Sequence, residues 1–552
     1  MKLKEKFFGS ENREPGLFIA LLFLTLLFTW LAMSPCLNND FTNWDDVEYI
    51  TQNPRIRTLS WENVKNVFST PEVKMYTPLS ILSYALEYHF SGLDPKIYHA
   101  TNLFLHLADT ALVMLLARLL LNSVWVAFLV ALLFGIHPAH VESVAWAAER
   151  KDVLYAFFYL SSLTVYTWRP DKASARSLSL VLFSWALLSK SMAITLPLAL
   201  LATNYLKSEK IEPRRWLNTL PFFICAGIFT AMQLSWSGGM FSLGWGQRLL
   251  FALYNLGFYF YTLLWPFSLS AMYYSPLGGK TGFYIIAACA LAGIFLLWKY
   301  FRRDKEIVFG AAFYAVLLLP VLQFFPFGGV ISSDRYTYLS SIGIFIIGAV
   351  CARRLWRRLP PGYRGLAAIC AISAVLTLAV AARVRCAVWK DSVSLWTKTV
   401  SEQPLAGSAL TNLCDAYLKA GMNDEAAACL ARAMRTFPDN NNRYNVCRLF
   451  LQNKDFPKAE ECFTQLLKVN PCHALALNYM GDIYLRKGAE GKAERYYSQA
   501  AGCDNNFAAA YLNLGSLALL RKDKAKAASF YEKALAAEPA DRKTRALLGT
   551  LR

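Results

Sequence analysis

Apolar stretches long enough to enter a bilayer recur along this chain until about Ala382 and then stop. That succession restricts the fold more than any other feature. The first stretch, Leu17 to Ala32, crosses a bilayer with its flanks, and no cleavage site follows it, so it reads as a retained anchor. Hydropathy predicts spans near 17–35, 97–121, 124–136, 152–168, 177–189, 191–207, 216–234, 246–266, 281–300, 306–322, 338–352 and 363–382, eleven or twelve in all. The content of 55% hydrophobic residues, with 15 Trp, 28 Tyr and 37 Phe, excludes a soluble domain of this size and suits aromatic-rich membrane interfaces. The predicted fold class is all-α: a polytopic membrane bundle over residues 1–390, then a soluble helical array over 391–552.

The formal charge of +19 falls mostly in the membrane part. Basic loops beside spans are the usual mark of the cytoplasmic side, so the charge predicts no nucleic-acid partner. Lys2, Lys4 and Lys6, Arg169 to Arg176, Lys299 to Arg303 and Arg353 to Arg358 belong inside by this rule. The loops around Asp45, His137 to Arg150 and Gly328 to Tyr338 then fall outside, together with the C-terminal array. The parity of the spans requires one non-spanning or paired half-helix between 177 and 266.

The array has a 34-residue period. Its last unit, Ala508 to Asp541, places Tyr511, Leu514, Gly515, Ala527, Tyr531, Ala534 and Pro539 at the pattern positions of a tetratricopeptide repeat. The unit from Ala474 repeats the pattern, and weaker units start near Gly407 and Asn440, giving about four repeats; a leading half-repeat lies around Trp396 and Pro404. Small residues let paired helices approach, and prolines end each second helix. The stacked units predict a concave face for an extended peptide or a protein partner. Cys414 and Cys429 occupy the same repeat positions as Cys447 and Cys462, one on each helix of a hairpin. Small buried thiols filling the helix contact are the favoured expectation; two disulfides within repeats are the alternative if the array is outside the cytoplasm.

Three outer loops carry the polar residues that look out of place. The first (36–96) holds the adjacent carboxylates Asp45 and Asp46, with Tyr49, and two surface segments, Trp61 to Phe68 and Thr77 to Phe90. Adjacent acids repel, which raises one of them towards the range of a general base. The second holds His137, His140, Glu142, Arg150 and Lys151, and the third holds Asp334, Arg335, Tyr336 and Tyr338. Acids and cations from separate loops fit one outer site for a lipid-borne phosphate: cations neutralise the leaving phosphate and a carboxylate takes the proton of an acceptor hydroxyl. Each residue has a plainer alternative. Asp45 and Asp46 suit a turn beside Asn43, Arg150 and Lys151 suit lipid headgroups, Asp334 and Arg335 suit pairing with each other, and Tyr336 and Tyr338 suit interfacial anchoring. His99, Asn102 and His106 share one helix face, where they satisfy one another or touch substrate. The spacing of His137, His140 and Glu142 is weak for a metal, and no metal is predicted.

Trp44-Asp45-Asp46, the stretch from His137-Pro through His140-Val-Glu142 and Trp146 to Arg150, and Asp334-Arg335-Tyr336-Thr-Tyr338-Leu resemble the transmembrane and tetratricopeptide-repeat protein O-mannosyltransferases. Tyr76-Thr-Pro-Leu and His99-Ala-Thr-Asn-Leu-Phe-Leu-His106 fit as well, and the order of membrane body and repeats extends the resemblance over the chain. The resemblance implies a C-type membrane glycosyltransferase fold, a polyprenyl-phosphate monosaccharide as co-substrate, an inverting single displacement and an acid of the first outer loop as base. Asp45 and Asp46 are then the catalytic candidates, and Arg150, Lys151, Arg335 and Lys190 the candidates for the donor phosphate. Tyr49, His137, His140, Glu142, Asp334, Tyr336, His99 and Asn102 are expected to line the substrate. The family's motif has Lys-Glu where this chain has Lys190-Ser191, which leaves Lys190 without that acid.

The expected activity is transfer of one sugar, mannose, to Ser/Thr of an exported protein held by the repeats. The alternatives are the same chemistry on a lipid or glycan acceptor, or a non-enzymatic scaffold. The chain contains no Asn-X-Ser/Thr acceptor and ends Leu551-Arg552 without an ER retrieval signal. The expected setting is therefore a bacterial inner membrane with a periplasmic array, the alternative being the endoplasmic reticulum with a lumenal one.

Overall fold

The computed structural model describes residues 14–69, 75–208, 213–236, 244–273, 280–324, 331–436, 440–537 and 542–551. Lys2, Lys4, Lys6, Pro438, Pro539 and residues 328–330 lie outside them. The described residues are helical except for short connections, and they form two compact units, Met1–Leu405 and Ala406–Arg552.

In the first unit six described helices are long and apolar enough to cross a membrane: Pro15–Asn38, Pro95–Leu121, Arg215–Leu234, Thr281–Phe301, Asp334–Arg358 and Pro361–Val388. Val124–Ile136 and Pro138–Ala145, bent by 53°, make a seventh if taken as one span. The other predicted spans are helices too short or too weakly apolar for a crossing, Trp245–Leu264 among them at 20 residues. Ala173–Ser189, Leu196–Lys207 and Lys305–Leu318 have only 17, 12 and 14 residues. Arg150–Trp168 opens on three charged residues, Arg150, Lys151 and Asp152. A hydropathy profile does not separate a full crossing from a short helix packed inside the bundle, hence its higher count.

The helices that build the site are α1 (Glu14–Met33), α2 (Pro95–Leu121), α3 (Val124–Ile136), α4 (Arg150–Trp168), α5 (Ala173–Ser189), α6 (Thr337–Arg358), α7 (Pro361–Val388) and α8 (Ser392–Glu402). α1 packs on α3 and α7, α2 lies against α3 and α4, and α5 packs on α4. Local chemistry fixes their ends. Asp94 accepts from the Lys96 N–H to start α2, Asn122 closes it in the left-handed region (φ 50°), and Ser123 caps α3 through the Val126 N–H. A Cβ on Gly343 of α6 would sit 2.2 Å from the Gly310 carbonyl oxygen, so this helix contact depends on having no side chain there.

The two ends of the bundle differ in chemistry. At one end the loop after α1 meets the start of α4 and the segment after α7, and Lys190 after α5 and Arg335 before α6 join there through Glu149. At the other, Lys207 Nζ donates to the Leu119 carbonyl, Lys305 Nζ donates to the Ser208 carbonyl at 2.7 Å, and Arg353 and Arg354 pair with Asp304 and Glu306. Arg169 and Arg353 to Arg358 thus follow or close the ends of α4 and α6 opposite those that carry Lys151 and Arg335.

The second unit consists of four helix hairpins, starting at Gly407, Asn440, Ala474 and Ala508, and a last helix, Arg542–Gly549. The small pattern residues act as expected: a Cβ on Gly481 would lie 2.4 Å from the Tyr497 ring, and one on Gly515 2.5 Å from the Tyr531 ring. The favoured expectation of free thiols is corrected. Cys414–Cys429 and Cys447–Cys462 are disulfides, and a third, Cys472–Cys503, joins positions without a counterpart in the other repeats. The helix around Trp396, expected as a leading half-repeat, is α8 and lies in the first unit.

Candidate functional site

The loop after α1 is fixed by hydrogen bonds at both edges. Asn39 Nδ2 donates to the Cys386 carbonyl at 3.3 Å, and the Asp40 N–H donates to the Lys390 carbonyl at 2.8 Å. The Asn43 N–H donates to Ser392 Oγ at 2.8 Å, while Asn43 Oδ1 accepts from Trp396 Nε1 at 2.6 Å. The segment from the end of α7 through α8 therefore holds the acid loop.

The adjacent carboxylates have different environments. Asp46 is fully buried; its Oδ2 accepts from the Thr42 N–H at 2.7 Å and Thr42 Oγ1 at 2.9 Å, and its Oδ1 accepts from the Ala148 N–H at 2.7 Å. Burial pushes its carboxyl up to about 6 against the pull of these donors, and the charge of Asp45 adds only a minor upward push. Asp45 keeps 30% of its side chain exposed, with Oδ2 3.4 Å from Lys151 Nζ. The sequence offered no basis for choosing between them; the geometry makes Asp46 an anchor and Asp45 the accessible acid.

Around Asp45 the three loops converge. Lys151 Nζ lies 3.2 Å from Glu149 Oε1 and 4.6 Å from the centre of the Tyr49 ring. Glu149 is shared further, with Lys190 Nζ at 3.4 Å and Arg335 Nε at 3.3 Å. Burial raises its carboxyl, but Lys151, Lys190 and Arg335 more than reverse this and hold it below the usual carboxylate range. Arg335 Nη1 also donates to Glu142 Oε1 at 2.5 Å, and its backbone N–H donates to Glu142 Oε2 at 3.1 Å. Lys190 also pairs with Asp152, so the acid missing at position 191 is replaced from α4. Each cation here has at least one carboxylate partner, which is how so many charges are tolerated when buried.

Other expected residues serve different purposes. Arg150, expected at the donor phosphate, is fully buried in a clamp: Nε donates to Asn102 Oδ1, Nη1 to Ser83 Oγ at 3.2 Å and Nη2 to the Tyr98 carbonyl at 2.8 Å, with Glu87 2.8 Å away. With those donors committed, it positions α2 rather than offering a phosphate site. Asn102 Nδ2 donates to the Trp146 carbonyl at 3.0 Å, and His99 is buried one turn away on the same helix. His137 Nε2 meets the Leu263 carbonyl at 3.0 Å, and His140 bridges the Phe134 carbonyl and Ser341 Oγ. Asp334 does not pair with Arg335; its Oδ1 accepts from the Tyr273 hydroxyl at 2.5 Å, and Arg385 lies 3.8 Å from Oδ2. Tyr336 faces the Arg335 guanidinium at 5.3 Å. Tyr338 is no interfacial anchor: it is fully buried, donates to Asp109 Oδ2 at 2.8 Å and meets His106 Nδ1 at 2.8 Å. Among the described residues no group of three His, Cys, Asp or Glu is placed to hold a metal.

One feature of the site was missed from sequence. Trp44 stacks on Trp146 (ring centres 4.2 Å apart), Trp146 stacks on Trp389 at 5.4 Å, and Trp396 lies 5.0 Å from Trp44. Lys151 and Arg335 lie over Trp146 at 5.8 and 5.5 Å. The signal was the density of Trp just past the last span, which the repeat pattern absorbed.

Fold and site together define a multi-pass, all-α membrane protein with a cluster of paired charges at one end of its bundle and a tetratricopeptide array. Tetratricopeptide repeat models match residues 448–506 and 508–541. The chain is similar to the TMTC protein O-mannosyl-transferases. It is 32% identical to protein O-mannosyl-transferase TMTC1 of Mus musculus over 187 residues, 30% of this chain and 20% of that protein. It is 23% identical to TMTC3 of Homo sapiens over 529 residues, 84% of this chain and 57% of that protein. The matches thus span about a fifth and just over half of those relatives. Among solved structures, that of MamA covers 28% of this chain and 90% of its own, at 19% identity and a TM-score of 0.24.

Proposed function

We propose that this protein is a membrane glycosyltransferase that moves one mannose from a polyprenyl phosphate to a Ser/Thr hydroxyl of an exported protein. The observation that carries the reading is the convergence of Asp45, Lys151, Glu149, Lys190 and Arg335 at one end of the bundle. The similarity to proteins named O-mannosyl-transferases supports the reaction class and the sugar.

In this reading Asp45 takes the proton of the acceptor hydroxyl as that oxygen bonds to the sugar's anomeric carbon. The bond from that carbon to the phosphate oxygen breaks, and the polyprenyl phosphate leaves with the electron pair. One displacement inverts the anomeric centre. Lys151, beside Asp45, and Arg335, which shares Glu149 with it, meet the leaving charge, while Glu149 and Glu142 keep them ionised and in place. Asp46 and Arg150 hold the loop and α2, and Lys190 holds the start of α4.

Three disulfides in the repeats support an oxidising compartment, and the basic opposite end of the bundle supports placing the site there. A bacterial inner membrane with a periplasmic array is the setting we favour. The array supplies a protein-binding surface for the acceptor. The test is transfer from defined polyprenyl-phosphate sugars to a pool of exported proteins, read by intact mass. A mass increment of one hexose from the mannosyl donor is expected; a shift only in lipid products would move the acceptor to a glycolipid.

A further inference from the structure

A groove of about 690 Å³ lies within the repeat array, between the first helices of its second and third hairpins, Asn440–Gln452 and Ala474–Arg486. Leu451, Tyr479 and Leu485 give it apolar surface, and Lys454, Asp482 and Arg486 bring charge to it. Both hairpins are cross-linked: Cys447–Cys462 closes the one and Cys472–Cys503 braces the other. The Tyr479 ring is held as well, stacked on Phe463 at 5.8 Å. A ligand therefore meets a preformed surface and orders little on binding.

The charges of the groove are not spent on one another. Around it, Lys458 pairs with Asp455, Lys487 with Glu460, and Arg521 with Glu490 and Glu494. Asp482 has no such cation among the described residues. Its Oδ1 accepts from the Tyr497 hydroxyl at 2.7 Å and from Asn513 Nδ2 at 3.3 Å. Burial raises this carboxyl above its ordinary value, and the Tyr497 hydroxyl and the charge of Arg486 only partly offset that. Arg486, one turn along the helix, lies over the Phe456 ring at 5.5 Å instead of pairing with it. Lys454 is exposed.

This arrangement selects a ligand. A free phosphate suits Lys454 and Arg486 but meets the carboxylate of Asp482, and a purely basic segment meets both cations. A segment with charges of both signs satisfies all three. The spacing is that of an extended chain. Asp482 and Arg486 are separated by about 6 Å of helical rise, and alternate side chains of an extended peptide recur on one side about every 7 Å. The apolar surface gives the intervening residue a place.

We propose that this groove binds an extended peptide in which a basic and an acidic residue flank a third. The basic side chain reaches Asp482, the acidic one reaches Arg486 and Lys454, and the residue between them lies on Tyr479 and Leu485. In the proposed reaction such a segment is the part of the exported protein that the array holds. That identity of the peptide rests on the glycosyltransferase reading; its binding does not.

The test titrates the full chain in detergent into fluorescein-labelled Glu-Ala-Lys-Ala-Glu with Gly-Ser flanks, read by fluorescence anisotropy. Replacing the peptide's Lys by Gln, or both its Glu by Gln, is expected to weaken binding about tenfold. Asp482→Asn should weaken it as much and make the chain indifferent to the peptide's Lys. Because Asp482 also holds Tyr497, a second variant reverses charge at exposed positions. The Lys454→Glu, Arg486→Glu double variant should bind Lys-Ala-Lys-Ala-Lys about tenfold more tightly than the wild type does. A folded chain that binds none of these peptides, or whose affinity ignores the changes of charge, would overturn the proposal. So would equal displacement by phosphoethanolamine, which would make this a site for zwitterionic headgroups. A chain that binds in the expected pattern yet transfers no sugar keeps the groove and loses the enzymatic reading. Full transfer to proteins by a chain indifferent to these peptides does the reverse.

Discussion

At the scale of single residues, two neighbouring carboxylates separate into two roles because their surroundings differ. Asp46 accepts three hydrogen bonds inside the protein, so Asp46→Asn turns a donor group towards N–H partners. A loss of about 1–3 kcal/mol is expected at neutral pH, read as a lower melting temperature. Its pH dependence has a definite sign. Burial raises the folded carboxyl from 3.8 to about 6, so between those values the folded state binds more protons than the unfolded one. The Asp46 contribution to stability therefore falls as pH rises through that window and is flat above it. Melting temperatures of wild type and Asp46→Asn across that range should show the wild type losing its relative advantage with rising pH; a constant difference would contradict the assignment. Lys190 offers a second check. Lys190→Met leaves Glu149 and Asp152 buried beside each other with one cation fewer, which is expected to cost about 3–5 kcal/mol. Recovery of folding in the Lys190→Met, Asp152→Asn double variant would confirm that charge compensation is the cause.

At the scale of elements, α8 ties the site to the rest of the chain. Trp396→Ala removes the hydrogen bond to Asn43 and the packing on Trp44. A loss of about 3–5 kcal/mol is expected by thermal unfolding, with lower transfer because the acid loop loosens. In the repeats, each of the two disulfides closing 15-residue intervals contributes about 3 kcal/mol, so reductant should lower the melting temperature of the second unit. How far these elements were legible in the sequence follows from their physics. The repeats were legible because helix hairpins with period-fixed small residues carry their geometry locally, as Gly481 and Gly515 illustrate. The loop acids and the cations were legible as residues out of place near apolar runs. Their pairing was not: the contact between Asp45 and Lys151 joins residues 106 apart, and that of Arg335 with Glu142 joins residues 193 apart. The commitment of Arg150 to Asn102, Ser83 and Tyr98 was hidden for the same reason.

At the scale of the whole molecule, the chain combines a bundle with chemically distinct ends and an array of repeats. Because Ser392 and Trp396 hold the acid loop, a truncation after residue 390 would damage the site along with the array. Truncation after Leu405, the boundary of the first unit, is expected to keep the membrane unit folded and to lose only what the repeats contribute to acceptor use. The central claim remains that Asp45 is the accessible acid of a charged transfer site. Its most direct test compares Asp45→Asn with wild type in single-turnover transfer from mannosyl polyprenyl phosphate, with thermal unfolding measured in parallel. The account predicts an unchanged melting temperature and a loss of about 10²–10⁴ in rate, the share of a general base. Wild-type transfer by a folded Asp45→Asn would contradict it.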